Sequence, residues 1–155
     1  MSISQAEATR LLSLPKRFET GVTLIELPRQ LSFDLEYPLL SMDGHDRFLL
    51  DLERGLKKRI RLKYQMRAHK VCVLARLDMD GRSHRNPPDA PHRAGERLIG
   101  HHFHLYREGF GDRVAFYPDE VAGFAVPSDN SHISWLLAFL AFCHVGQTPI
   151  IQDGI

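Results

Sequence analysis

The chemistry-bearing residues of this chain concentrate in one short run, G-H-H-F-H-L-Y-R-E-G-F-G-D at 100–112. On an extended strand His102, His104, Tyr106 and Glu108 share one face, while His101, Phe103, Leu105 and Arg107 share the other. Same-face neighbours stand about 6.6 Å apart, which lets two imidazoles meet one small reacting centre or one metal ion. Imidazole titrates near neutral pH, so such a pair can serve as base and acid while Arg107 or Tyr106 steadies a developing negative charge. His84 and His92 lie upstream in an aperiodic stretch that could fold over the strand and add a third imidazole. Five of the nine histidines fall within the 21 residues from His84 to His104. The plainer reading makes Tyr106 and one histidine core residues and leaves the others in solvent.

Charge gives a second constellation. Lys plus Arg number 20 against 19 for Asp plus Glu, a formal net charge of +1. Resolved by segment, residues 1–53 carry −4, residues 54–70 carry +8 with no acidic side chain, and the remainder carries −3. Within the basic segment, Ile60, Leu62, Tyr64 and Met66 alternate with Arg59, Arg61, Lys63, Gln65 and Arg67, so one strand presents a positive face. Arg59, Arg61, Lys63 and Arg67 are the candidate phosphate contacts. An edge strand whose cations block sheet-to-sheet pairing is the competing explanation.

A metal is weakly signalled. H-x-H on a strand can chelate, but C-x-x-C and H-E-x-x-H are absent and no acidic residue adjoins the histidine run, so the expectation is a site with no metal and no cofactor. Walker, dinucleotide-binding and G-x-S-x-G signatures are also absent. Cys72 and Cys143 sit in apolar runs and imply no disulfide framework. The N-terminus reads as no secretory signal, and the longest apolar run, Trp135 to Cys143, is about half a bilayer span. The expectation is a cytoplasmic protein without a membrane partner.

The elements that must hold these residues read as one domain over 1–155. Ser4 and Glu7 have capping-box spacing and predict a helix to about Leu14, before Pro15. Period-two patterns predict strands over 22–27, 31–37, 48–53, 59–67, 101–107 and 113–117. Lys70 to Asp78 reads as a central strand, apolar on nearly both faces. Residues 79–99 form a long loop with Pro87, Pro88 and Pro91, and connections of that length are usually functional or disordered. A buried helix is predicted over 131–144. The fold class is α+β: a twisted, mostly antiparallel sheet of about seven strands packed by an N-terminal and a C-terminal helix, with a partly closed barrel as the alternative.

The segments L-x-R-L-D-x-x-G, H-R-N-P-P and H-x-H-L-Y-R-E-G-F-G-D, in that order, resemble the signature of a family of small uncharacterised bacterial proteins found near phage and other mobile-element genes. The resemblance spans about Asp43 to Tyr117 and implies no established activity. The N-P-P and H-F-H elements are also similar to N-P-P-H-F-H in small proteins encoded in toxin–antitoxin-like pairs. The leading expectation is a metal-independent nuclease, a toxin-type endoribonuclease, with His104 as base and His84 or His102 as acid. In that scheme Arg107 and Tyr106 stabilise the phosphorane, and RNA or another polyanion lies on the basic face. The alternative is a non-catalytic inhibitor or adaptor that uses the same face for an antitoxin-like or other protein partner. A third is a histidine-ligated metal enzyme.

Overall fold

The computed structural model of the chain describes residues 2–29, 32–55 and 61–154. Helix α1 (Gln5–Ser13) starts at Ser4, whose hydroxyl accepts the Glu7 amide. It buries Ala8 and Leu11. Strands follow as β1 (Lys16–Phe18), β2 (Leu24–Leu27), β3 (Phe33–Ser41), β4 (Arg47–Arg54), β5 (Leu62–Ala68) and β6 (Cys72–Met79). Then come β7 (His84–Arg85), β8 (Arg97–Leu98), β9 (His102–Leu105), β10 (Ala115–Phe116), helix α2 (His132–Phe142) and β11 (Ile150–Asp153).

The main sheet has seven strands in the order β1-β3-β4-β5-β6-β9-β10, antiparallel throughout and open rather than closed into a barrel. The strand over 31–37 does not stop at Pro38 but runs on to Ser41. The Pro38 carbonyl accepts the Glu19 amide just beyond the last β1 pair, Phe18 with Leu39, so the proline nitrogen faces a side where no ladder donor is required. Four short strands absent from the hydrophobic pattern appear: the three-residue β1, the two-residue β7 and β8, and β11, which pairs in parallel with β2. All are too short or too exposed to carry a period.

Alternation sorts the central strands into two faces. Leu50, Leu52, Tyr64, Met66, Leu77 and Phe103 are fully buried and join Trp135, Leu136, Phe139 and Leu140 of α2 in one core. Asp51, Glu53, Lys63, Gln65, Arg67, Arg76, Asp78, His102 and His104 occupy the opposite face through the registers Glu53 with Lys63, Lys63 with Asp78, Arg76 with His104 and Asp78 with His102. β6 is therefore not apolar on both faces. Its register against β5 shifts by one residue between Met66 and Arg67, which leaves Leu74 and Ala75 both buried and turns Arg76 and Asp78 outward.

The long loop is ordered by Asn86, which is 1% exposed. Its side-chain amide copies a strand partner: Oδ1 accepts the Ala115 amide at 2.8 Å, and Nδ2 donates to the carbonyls of Ala115 and His92, both at 3.0 Å. The paired β7 and β8, with Leu98 fully buried, complete the fold-back. Removing the Asn86 amide orphans three buried groups, each costing about 1–3 kcal/mol. Asn86→Ala is predicted to lower global stability by about 3 kcal/mol and to raise amide exchange across residues 82–99, measured by denaturation and hydrogen-exchange mass spectrometry.

Candidate functional site

The fold-back places the His84 ring over the two strand histidines. Ring centroids lie 4.6 Å from His104 and 6.1 Å from His102, and His102 and His104 are 5.0 Å apart. These three rings therefore converge, which the sequence spacing left open. His84 and His102, but not His104, border a cleft of about 560 Å³ that Arg61, Lys63, Arg76, Asp78 and Arg82 also line.

Main-chain carbonyls fix the rings. His102 donates from Nδ1 to the Gly100 carbonyl at 2.9 Å, and His104 donates from Nδ1 to the Asp112 carbonyl at 2.7 Å. His84 uses Nε2 to donate to the Arg113 carbonyl at 2.8 Å, leaving Nδ1 as its basic nitrogen. Consecutive carbonyls of the G-F-G-D turn thus set two tautomers.

Arg76 binds the cluster together. Its Nε meets Asp78 Oδ1 at 2.9 Å, its Nη1 meets Asp112 Oδ2 at 2.6 Å, and its Nη2 meets His104 Nε2 at 3.0 Å. Burial alone would raise the Asp78 carboxyl, but the His102 hydrogen bond and the Arg76 charge outweigh it and bring the group down to about 2. Burial, reinforced by Arg76, pushes His104 down to about 3. His104 is therefore neutral at physiological pH and its one lone pair is engaged, so it positions its neighbours rather than acting as base.

His102 Nε2 faces Asp78 Oδ2 at 3.2 Å. With Nδ1–H already donated to Gly100, this contact requires a second proton on the ring or a cation shared with the carboxylate. Asp78, His102 and His104 are also the donors that could hold a metal ion.

Other expectations are corrected. Tyr106 follows the end of β9 and does not join the imidazoles: its hydroxyl donates to the Ile3 carbonyl and accepts the Ile3 amide, which anchors the N-terminal segment. Arg107 is exposed and borders a separate cavity with His92 and Pro91. His92 bonds Glu120 at 3.1 Å and stacks on Phe116 at 4.3 Å, and His101 packs edge-on to Trp135 at 4.9 Å. The cations that line the cleft are instead Arg61, Lys63, Arg76 and Arg82. Sequence reasoning missed Arg76 and Asp78 because β6 reads as apolar on nearly both faces; the one signal for them is their i, i+2 spacing.

The basic face is also reshaped. β5 is the central strand of the sheet, which removes the edge-strand explanation. Lys63 pairs with Glu53 at 3.1 Å, and Arg67 pairs with Asp51 at 2.6 Å and Glu36 at 2.9 Å, so the acidic N-terminal strands neutralise much of the stripe. Arg59 lies outside the described residues. Among the described residues no carboxylate pairs with Arg61, whose Nε is buried without a hydrogen-bond partner, and none pairs with the exposed Arg82. Both line the cleft. Among the described residues no helix is long and apolar enough to cross a membrane.

A family model described as a family of unknown function (DUF6978) matches residues 3–145. No curated protein and no solved structure matches the chain.

The neutral, buried His104 has a thermodynamic signature. Between about pH 6.5 and 3 the unfolded chain binds a proton there that the folded chain refuses, so this group's contribution to stability falls on acidification through that window, by at most about 1.4 kcal/mol per pH unit. Urea denaturation at stepped pH is expected to show a slope between pH 6 and 4 that His104→Leu reduces.

Proposed function

The chain belongs to that family of unknown function, and from the chemistry of its cleft we propose that it is a metal-independent endoribonuclease of the toxin type. The observation that carries this reading is an imidazole, His84, whose Nδ1 has no hydrogen-bond partner among the described residues, in one cleft with two cations, Arg61 and Arg82, that lack carboxylate partners among the described residues. A cleft of about 560 Å³ is of ligand-pocket size. Its unpaired guanidinium groups suit the planar recognition of a phosphate.

In the proposed reaction His84 Nδ1 removes the proton from a ribose 2′-hydroxyl, and that oxygen attacks the adjacent phosphorus. The bond from phosphorus to the 5′-oxygen breaks, and the leaving oxygen takes the proton held between His102 and Asp78. Arg61 and Arg82 hold the non-bridging oxygens and neutralise charge that grows on them. The base role moves from His104 to His84 because His104 Nε2 is already bonded to Arg76. RNA is favoured over DNA because its 2′-hydroxyl supplies the nucleophile without a metal. That fits a donor set in which Arg76 already bonds two of the three donors a metal would use.

A second reading has a specific observation behind it. Both nitrogens of His102 and of His104 are engaged inside the protein, so the histidines can be a structural brace beneath a site that binds an anionic partner without cleaving it. The two readings separate on His84. The nuclease reading predicts that purified protein cleaves single-stranded RNA in EDTA, that His84→Ala lowers kcat/KM by about 10²–10⁴-fold, and that Arg61→Gln raises KM about tenfold through the loss of a charge-assisted contact worth about 1.5 kcal/mol. RNA that binds but stays intact, with His84→Ala binding equally well, establishes the non-catalytic reading instead. Fluorescence-quenched RNA cleavage and filter binding measure the two quantities.

A further inference from the structure

The same polar face holds a second, distinct constellation. Two imidazole nitrogens and one carboxylate converge on one point: His102 Nε2 is 3.2 Å and His104 Nε2 is 3.6 Å from Asp78 Oδ2. The ligating atoms of the three residues all lie within 4.8 Å of one another. Both rings donate Nδ1–H to main-chain carbonyls, of Gly100 and Asp112, which fixes the tautomer that exposes Nε2. Two histidines and a carboxylate, each histidine braced from behind by a carbonyl, is the donor arrangement that first-row divalent ions select.

What fills that point in the present structure is Arg76. Its Nη2 lies 3.0 Å from His104 Nε2 and 3.3 Å from Asp78 Oδ2. This guanidinium is a removable occupant: its side chain is 20% exposed and borders the cleft, which gives it space to withdraw. We propose that Asp78, His102 and His104 form a zinc-type site, in which a first-row divalent ion displaces Arg76 and is held by the two Nε2 atoms and an Asp78 carboxylate oxygen. Zinc–nitrogen bonds are about 2.0–2.1 Å, so the donors around one ion stand at most about 4.2 Å apart. The cluster must therefore close by about half an ångström as it gives up the Arg76 contacts. Both requirements hold the affinity below that of a dedicated structural zinc site.

Asp78 and His102 both line the cleft, so the remaining coordination position opens towards solvent and takes water. The ion also takes up His102 Nε2, the atom that carries the acid proton in the proposed cleavage. It is then an inhibitor of the cleavage reaction, a consequence that rests on the ribonuclease reading, whereas the binding itself does not.

Calorimetric titration of metal-free protein with Zn²⁺, and with Co²⁺ followed by its absorption bands, tests the site. The expected results are one equivalent bound with micromolar affinity, at least tenfold tighter binding by Arg76→Gln, and at least tenfold weaker binding by His104→Ala. His84→Ala should bind as the wild type does even though it is expected to be inactive, so metal uptake is judged independently of cleavage. Failure of both the wild type and Arg76→Gln to take up an equivalent of Zn²⁺ or Co²⁺ overturns the proposal, as does unweakened binding by His104→Ala. RNA cleavage unchanged with an equivalent bound overturns the inhibitory role.

Discussion

The polar face of this protein depends on one guanidinium. Arg76 donates to Asp78, to Asp112 and to His104, and so offsets a carboxylate that would otherwise lie among imidazoles without enough donors. A buried charge is costly unless paired and hydrogen-bonded. The pairing here is shared among three elements: β6 supplies Arg76 and Asp78, β9 supplies the histidines, and the turn after β9 supplies Asp112. Burial suppresses protonation of His104, and the same contact adds to it, because a fixed cation beside the imidazole disfavours a second positive charge. Electrostatics and geometry therefore assign different work to two histidines only two residues apart. His104 is a neutral brace, and His102 is directed at the Asp78 carboxylate.

Local backbone chemistry then brings in the third imidazole. The E-G-F-G-D turn uses Gly109 and Gly111, with φ of 86° and 62°, to reverse the chain tightly. The reversal presents the carbonyls of Asp112 and Arg113 to His104 and His84 in succession. Asn86 supplies the complementary tether from the long loop by pairing with both polar groups of Ala115. Turn and loop are thus registered to each other through β10, a strand of two residues. This explains how a connection nearly twenty residues long can hold a side chain over a site to within hydrogen-bonding tolerance.

Much of the fold was legible in the sequence because period-two alternation survives wherever one face of a strand is buried. The β4, β5 and β9 faces follow it, and the Ser4 cap marks α1. His102 and His104 were legible as a same-face pair, but that His84 joins them was not, because the stretch that carries it has no period. Arg76 and Asp78 were hidden because the β-bulge at Leu74 breaks the alternation of β6, so the strand reads as apolar on both sides. Tyr106 was misplaced for the converse reason: the strand ends at Leu105, and a face assigned by counting beyond that end no longer applies. The basic stripe misled because charge was counted along the chain, whereas Glu36, Asp51 and Glu53 meet it from neighbouring strands.

If His84 is the base of an RNA-cleaving cleft, as proposed, the ends of the RNA products report it most directly. Mass spectrometry of a defined single-stranded oligonucleotide incubated with the protein in EDTA is expected to show fragments ending in a 2′,3′-cyclic phosphate and beginning with a 5′-hydroxyl, the products of attack by the internal 2′-oxygen. Intact oligonucleotide, or fragments beginning with a 5′-phosphate, would contradict it.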